Sequence, residues 1–164
     1  MAIHDDRKMF EMLILEGFQA GLSWITILRK RDNFRKAFKN FDARKVARFR
    51  ATDITRLMKD AGIIRNRLKI EGAITNARCF LEVQKEFDSF DRYIWGFTGN
   101  RTLRNPKGVT RKTMKPTSPE SDALSKDLKR RGFKFVGPTV CHAHMQATGM
   151  VDDHVAGCFK YRKR

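Results

Sequence analysis

The sequence predicts a single all-α domain, and three observations support this fold class. Apolar residues recur at helical spacing along most of the chain, as at Phe10, Leu13 and Ile14. Good helix caps precede several of these runs, among them Ser23 and Ser118, the second followed by a proline. Strand-like alternation is nearly absent, and no linker or repeat divides residues 1–164. A chain of this length can bury one substantial core.

The first two predicted helices meet at a sharp corner. Asp5 or Asp6 caps the first helix, which runs to about Ala20. Ser23 starts the second helix, which reaches about Phe38. Glycines near the junction weaken helix formation there. The local pattern is therefore helix, tight corner, helix.

Two short helices and one long helix are expected next. Asp42 caps the first short helix, and Thr52 caps the second, which ends at Gly62. The residues 62–67 then form a tight connection into a long helix with apolar positions as far as Leu81.

The second half of the chain contains a basic loop between helices. Ser89 caps a further helix, and the segment 99–118 then breaks the helical pattern. This segment has six basic residues, no acidic residue, two glycines and two prolines, which predicts a basic loop. Ser118 then starts a helix that runs to Arg131.

Charge and cysteine usage limit the classes of partner. The chain carries 35 Lys and Arg against 18 Asp and Glu, a formal net charge of +17. Nucleic acid is the leading partner and an anionic membrane surface the next. No apolar run has the length of a membrane span, and the charged N-terminus lacks a signal-peptide pattern. Three scattered cysteines, Cys79, Cys141 and Cys158, indicate a reducing, intracellular setting.

The corner carries a candidate pocket for a flat polar ring. Glu16 is a carboxylate on an otherwise apolar approach, and Trp24 follows on the next helix. An ionised glutamate is costly to bury unless a partner compensates it. The ring of Trp24 can stack on a base, and the carboxylate can accept hydrogen bonds from its N–H groups. The alternative is a partly exposed glutamate beside a core tryptophan, which pattern alone favours.

A second candidate site is the glycine-flanked turn 132–137. Gly132 and Gly137 allow a short hairpin whose backbone N–H groups approach a phosphate. The helix that follows, from about Thr139 to Thr148, presents its N-terminus in the same direction. This pattern resembles the helix-hairpin-helix element of DNA repair glycosylases, although an ordinary αα-hairpin fits it as well.

Four stretches together resemble one family, the 3-methyladenine DNA glycosylase I family. They are 15–26, with its Gln-Ala-Gly-Leu-Ser-Trp sequence, then 60–65, then 121–137, and finally 153–155 with Cys158. Their order and spacing match the family pattern from about His4 to the end of the chain.

The resemblance implies roles for individual residues. Glu16 is the implied catalytic and base-recognising residue, and Trp24 is part of the base pocket. Gly21 and Leu22 lie at the plug that fills the gap left by the extruded base. His154 and Cys158 are two of four ligands of a structural zinc ion. The implied DNA-binding residues are Gly21, Leu22, Gly132, Phe133, Lys134, Phe135, Val136, Gly137 and Thr139.

Two departures from the family pattern qualify this assignment. The family's N-terminal segment, with a cysteine, a histidine and pocket aromatics, has no counterpart, and His4 does not replace that histidine. Only two of the four zinc ligands are then matched, which do not close a zinc site. Asp152 stands where the family usually has asparagine and the wider superfamily a catalytic aspartate; a surface or capping role is the simpler interpretation.

The resemblance therefore implies a monofunctional glycosylase of base-excision repair. It would hydrolyse the N-glycosidic bond of 3-methyladenine in alkylated double-stranded DNA. We expect a monomer in a bacterial cytoplasm, associated with the nucleoid and not with a membrane. The alternative is a non-catalytic DNA-binding module or a truncated, inactive relic.

Overall fold

The computed structural model describes residues 2–104, 109–110, 112–155, 158 and 160–161, and these form a mostly helical domain. Two short strands, β1 (Leu103–Arg104) and β2 (Val151–Asp152), pair in parallel, with Leu103 opposite Val151. The α-helices of the described residues are α1 (Asp6–Gln19), α2 (Trp24–Arg29), α3 (Arg31–Ala37), α4 (Ala43–Val46), α5 (Ala51–Lys59), α6 (Arg67–Phe87), α7 (Phe90–Trp95), α8 (Pro119–Arg130) and α9 (Pro138–Thr148). The predicted fold class is confirmed, with this small sheet as an addition.

The core lies between α1 and the long helix α6. Helices α4, α5 and α7 pack on α6, and α9 packs on α1 and α8. Aromatic rings fill much of this space: Phe80 and Phe90 stack with centroids 4.3 Å apart, and Phe38 and Phe41 stack at 5.9 Å. No helix among the described residues is long and apolar enough to cross a membrane.

Local caps explain where most helices begin. Asp5 caps α1 by accepting from the Lys8 N–H, and Asp42 caps α4. Ser89 caps α7 and Ser118 caps α8, each through its side-chain oxygen. These predicted caps are confirmed, because capping depends on side chains within three residues.

The predicted single helix from Ser23 to Phe38 is wrong, because it breaks at Lys30. The backbone of Lys30 leaves helical geometry, with φ −103° and ψ 2°. Its ammonium donates to the carbonyl oxygen of Ala61 at 2.9 Å, and the next residue, Arg31, pairs with Glu11. These tertiary contacts override the helical pattern at this point.

Thr52 is not the cap of α5, as the sequence predicted. The cap is Arg50, whose backbone N–H donates to the Asp53 carboxylate at 3.0 Å. Because Asp53 reaches back to satisfy this group, the helix begins at Ala51, one residue before the threonine.

The basic segment 99–118 contains one short strand, which the sequence did not predict. Beyond β1, Val109 bridges to Val155 in parallel. The residues 105–108 and 111 lie outside the described part of the chain. A two-residue strand is too short to produce the alternation by which strands are recognised.

Candidate base-binding and DNA-binding site

Glu16 is a buried carboxylate on the last turn of α1. It is 5% exposed and has no hydrogen-bond or ion-pair partner among the described residues. Burial without compensation raises its pKa from 4.5 to about 7. The predicted alternative of a partly exposed glutamate is therefore wrong. A buried acceptor kept without an internal partner is available to a ligand.

Glu11, which precedes Glu16 on α1, is a buried glutamate with a structural role and serves as a comparison. It is 6% exposed, but its carboxylate accepts from Arg31 Nε at 2.7 Å and Arg35 Nε at 2.8 Å. Those contacts join α1 to α3. Two equally buried glutamates on one helix thus differ in whether the protein itself satisfies them.

The corner after α1 is fixed by Lys69, a residue that the sequence analysis did not single out. Lys69 is 9% exposed, and its ammonium donates to the carbonyl oxygens of Phe18 at 2.8 Å and Ala20 at 2.5 Å. Burial lowers the pKa of Lys69. These bonds cap the carbonyl end of α1. Its position could have revealed this role, since Lys69 lies at helical spacing with Ala73 and Asn76 on the buried face of α6.

The turn that follows is closed on itself and presents Leu22. The Leu22 N–H donates to the Gln19 carbonyl at 2.7 Å, and the Gln19 amide donates back to the Leu22 carbonyl at 2.6 Å. Gly21 adopts φ +81°, a left-handed conformation that favours glycine. The Leu22 side chain is 38% exposed at the tip of this rigid turn.

Trp24 lies at the start of α2, across the corner from α1. It packs against the core but keeps part of its surface open. Its ring stacks on no other aromatic ring in the described part of the chain. An indole that is anchored on one side and open on the other can accept a flat ring.

The turn 132–137 is held against α6 and α8 by two buried polar side chains. Asn76 donates to the Lys134 carbonyl at 2.9 Å and accepts from the Lys134 N–H at 2.7 Å. Ser125 donates its hydroxyl to the Val136 carbonyl at 2.6 Å. Phe133 and Val136 are buried in the core. The turn is therefore a hairpin of fixed geometry.

Only one of the two glycines in this hairpin has the left-handed backbone that favours glycine. Gly132 has φ +93°, whereas Gly137 is in an ordinary extended conformation. The other left-handed residue is Phe135, with φ +57°. Its ring packs over Gly72, where an added Cβ would lie 2.8 Å from Phe135 Cε2. Packing on Gly72 offsets the cost of this conformation.

The hairpin and the start of α9 contain several backbone donors that lack an acceptor in the described part of the chain. No intrachain acceptor is found within the described residues for the N–H groups of Phe135, Val136, Gly137, Thr139 and Val140. Helix α9 begins at Pro138, one residue before the predicted Thr139, and its cap has no side-chain hydrogen bond. Exposed Lys134 precedes these groups, and Thr139 among them is also exposed. Donors of this kind suit a phosphate oxygen.

The structure joins the corner and the hairpin into one surface. Gly17, next to Glu16, lies beneath Phe135, with 3.4 Å between its ideal Cβ position and Phe135 Cβ. Helix α6 touches both parts, through Lys69 at the corner and Asn76 at the hairpin. The predicted base-binding and DNA-binding groups therefore share one side of the domain.

Of the two predicted zinc ligands, His154 lies away from the corner, in the wall of a cavity of about 660 Å³. His154 lines this cavity with Asp152, Arg104 and His142, whereas Glu16 and Trp24 do not. Asp152 accepts from His154 Nδ1 at 2.6 Å and lies 3.1 Å from Arg104 Nε. The hydrogen bond from His154 lowers the pKa of Asp152, and Arg104 adds to the effect. This ion-paired setting favours a structural role for Asp152.

The described residues do not fit a closed zinc site. They contain no group of three or more His, Cys, Asp or Glu side chains placed to hold a metal ion. His142 is engaged by Asp153 at 3.2 Å, and His144 is fully buried, which lowers its pKa to about 4. Neither joins the two predicted ligands, His154 and Cys158, in a set that approaches the four ligands of a structural zinc ion.

We therefore expect the 164-residue chain to retain little zinc. Metal analysis after dialysis should find well under one zinc ion per chain, because two ligands bind weakly. Adding an N-terminal segment with a cysteine and a histidine in the family's pattern should bring one zinc ion and a higher melting temperature. His154→Ala should abolish that gain. Stoichiometric zinc in the 164-residue chain would contradict the expectation.

Comparison with known proteins establishes the family. The methyladenine glycosylase family model matches residues 1–161. The chain belongs to the methyladenine glycosylase family. DNA-3-methyladenine glycosylase 1 of Escherichia coli is 49% identical over 157 residues, 96% of this chain and 83% of that protein. The DNA-3-methyladenine glycosylase of Haemophilus influenzae is 46% identical over 155 residues, 94% of this chain and 83% of that protein.

Solved structures of this family agree with the fold. A crystal structure of 3-methyladenine DNA glycosylase I superposes with a TM-score of 0.94 at 44% identity, covering 99% of this chain and 88% of that one. The Staphylococcus aureus enzyme, described for its recognition of 3-methyladenine, superposes with a TM-score of 0.95 at 32% identity. That match covers 100% of this chain and 87% of that one.

Proposed function

We propose that the chain is a DNA-3-methyladenine glycosylase, which hydrolyses the N-glycosidic bond of 3-methyladenine in alkylated DNA during base-excision repair. The observation that carries this proposal is the buried carboxylate of Glu16, which has no partner within the described residues and lies next to the hairpin 132–137. A protein that binds only the DNA phosphates does not need a buried carboxylate, which is costly to keep without a partner. Family members from two bacteria carry this activity in their names.

Glu16 recognises the extruded base. A base must leave the duplex stack before its glycosidic bond is accessible. A nucleotide methylated at N3 of adenine is cationic, so its bond to the sugar is already weakened. The carboxylate accepts hydrogen bonds from the N–H groups of the base and complements its charge. That pairing favours the ionised carboxylate and lowers the raised pKa of Glu16.

Trp24 and Leu22, on either side of the corner, contact the extruded base and the DNA that it leaves. The open part of the Trp24 ring stacks on the extruded base and orients it toward the carboxylate. Leu22, held at the tip of its closed turn with Gly21, enters the gap that the base leaves. A rigid turn can act in this way without first being ordered by DNA.

The hairpin holds the DNA backbone. The N–H groups of this stretch that lack an acceptor, on either side of Pro138, bind a phosphate, and Lys134 supplies a positive charge next to them. Because Asn76 and Ser125 fix the hairpin, the phosphate takes a set position relative to Glu16. We further propose that the enzyme acts as a monomer at the nucleoid of a bacterial cytoplasm, as its net charge of +17 supports.

Excision of the damaged base tests this function directly. Duplex DNA treated with a methylating agent should release free 3-methyladenine on incubation with the protein, as measured by chromatography of the soluble products. Binding of the same duplex without release of any base would instead favour a non-catalytic DNA-binding module. Methylated duplex incubated with heat-treated protein measures the spontaneous loss of 3-methyladenine. Unmethylated duplex incubated with the active protein shows whether release depends on methylation.

A further inference from the structure

The most exposed large apolar side chain among the described residues is Leu68, which is 70% exposed. It lies in the first turn of α6, and the next two residues, Lys69 and Ile70, are buried. Nothing in the base-binding corner or the hairpin accounts for a leucine in this position. Single exposed leucines are common on surfaces, so its neighbours decide whether it has a role.

Leu68 belongs to the helix that touches both the corner and the hairpin, the two parts of the surface proposed to contact DNA. Its neighbour Lys69 reaches the carbonyl of Ala20 in the corner. Leu68 and Gly72 are four residues apart on one helical face, and the ring of Phe135 packs over Gly72. The exposed side chains of Leu68 and Phe135 therefore lie toward one face of α6, and Lys69 ties this helix to the corner that carries the exposed Leu22.

The backbone that carries Leu68 is fixed. The Gly62 N–H donates to Asp60 Oδ1 at 2.8 Å, and Lys30 donates to the Ala61 carbonyl at 2.9 Å. Asn66 accepts from the Lys69 N–H at 3.1 Å. These bonds hold the segment 60–69 in place, so Leu68 is presented without loss of backbone freedom on binding.

Positive charge surrounds this leucine. Arg65 is exposed and has no ion-pair partner within the described part of the chain. Arg67 is 3.2 Å from Glu71 in an exposed pair, which contributes little to stability and can yield to a phosphate. An apolar side chain flanked by arginines on a rigid support suits a wedge in a DNA groove: the side chain contacts the apolar faces of an opened base step, and the arginines bind the phosphates at the groove edges.

We propose that Leu68 is a second wedge, which contacts the base stack beside the extruded nucleotide while Arg65 and Arg67 bind phosphates. This inference rests on the proposed function, since it requires that a base be extruded. Leu22 fills the gap left by the base, and Leu68 stabilises the opened stack next to that gap. The segment 64–68 is thus a DNA-contacting element in addition to the corner and the hairpin.

Shortening Leu68 tests the proposal. Leu68→Ala should slow single-turnover release of 3-methyladenine from duplex DNA by roughly tenfold, because the opened stack loses an apolar contact. Binding of free 3-methyladenine, measured by calorimetry, should stay at the parent value. Leu68→Met, which keeps an apolar side chain of similar length, should retain most of the rate. Met114→Ala removes another exposed apolar side chain, 46% exposed in the basic segment, and should have no effect.

A fluorescent reporter separates this proposal from the proposed function. A duplex with 2-aminopurine beside an abasic-site analogue should brighten when the parent binds, and brighten less with Leu68→Ala. This arm needs no excision, so it tests the wedge even if the parent releases no base. Parent-like fluorescence and parent-like release for Leu68→Ala would overturn the proposal. Loss of free-base binding in Leu68→Ala would also overturn it, because Leu68 would then act through the pocket.

Discussion

Glu16→Gln should slow excision of 3-methyladenine and, at the same time, stabilise the free protein. Glutamine keeps the shape of the side chain but replaces one acceptor oxygen with a donor. That donor faces N–H groups of the base, and one unpaired contact of this kind costs roughly 1–3 kcal/mol. Single-turnover release of the base should therefore fall by roughly 10- to 100-fold. Affinity for undamaged duplex should hardly change, since phosphate contacts dominate it.

The gain in stability follows from the raised pKa of Glu16. Between its ordinary value of 4.5 and about 7, the folded protein keeps a proton that the unfolded chain has released. The stability of the parent protein therefore falls as pH rises through this window and is level above it. Glutamine does not titrate, so the variant escapes this loss. Denaturant unfolding should show the variant about 2 kcal/mol more stable near pH 8.5, with the advantage nearly gone below about pH 4.5.

Glu11→Gln is the matched control on the same helix. Glu11 is equally buried but paired with Arg31 and Arg35, so its replacement should destabilise the protein while release of the base stays close to the parent rate. Opposite stability changes in the two variants would separate a carboxylate kept for a ligand from one kept for the fold. Unchanged excision by Glu16→Gln at alkaline pH would rule out the proposed role of Glu16.

The parts of this fold that sequence predicts are those governed by neighbouring residues. Asp5, Ser89 and Ser118 cap helices through bonds to groups three residues away, and the pattern of apolar positions located α6 correctly. The family resemblance and the glycosylase function, which depend on motif order, are confirmed by the comparisons. Local signals are sufficient for such features because the residues that decide them are close together in the chain.

The parts that sequence missed depend on contacts between distant residues. The helix break at Lys30 follows from its bond to Ala61, and the conformation of Phe135 follows from its packing on Gly72. Lys69 closes the corner of α1 from another helix. The burial of Glu16 was also hidden, because a glutamate near a glycine corner is more often exposed. The roles of Glu16, Trp24 and the hairpin in binding remain predictions.

Asn76→Ala should weaken binding to all duplex DNA, damaged or not. Asn76 is 4% exposed, and its amide satisfies both the N–H and the carbonyl of Lys134. Removing it leaves two backbone groups without their partner at the base of the hairpin, at a cost of roughly 1–3 kcal/mol in unfolding free energy. The open N–H groups that follow would no longer be held toward one phosphate.

The expected result is a drop in affinity for undamaged duplex of roughly tenfold or more, measured by fluorescence anisotropy at fixed salt. Thr75→Ala is the matched control, because within the described residues the Thr75 hydroxyl bonds only to the Glu71 carbonyl of its own helix. It should lower stability slightly and leave duplex binding unchanged. If Asn76→Ala loses stability but binds duplex as tightly as the parent, the hairpin does not hold the DNA backbone. Affinity then depends on other basic residues, and the segment 132–137 is an ordinary connection between α8 and α9.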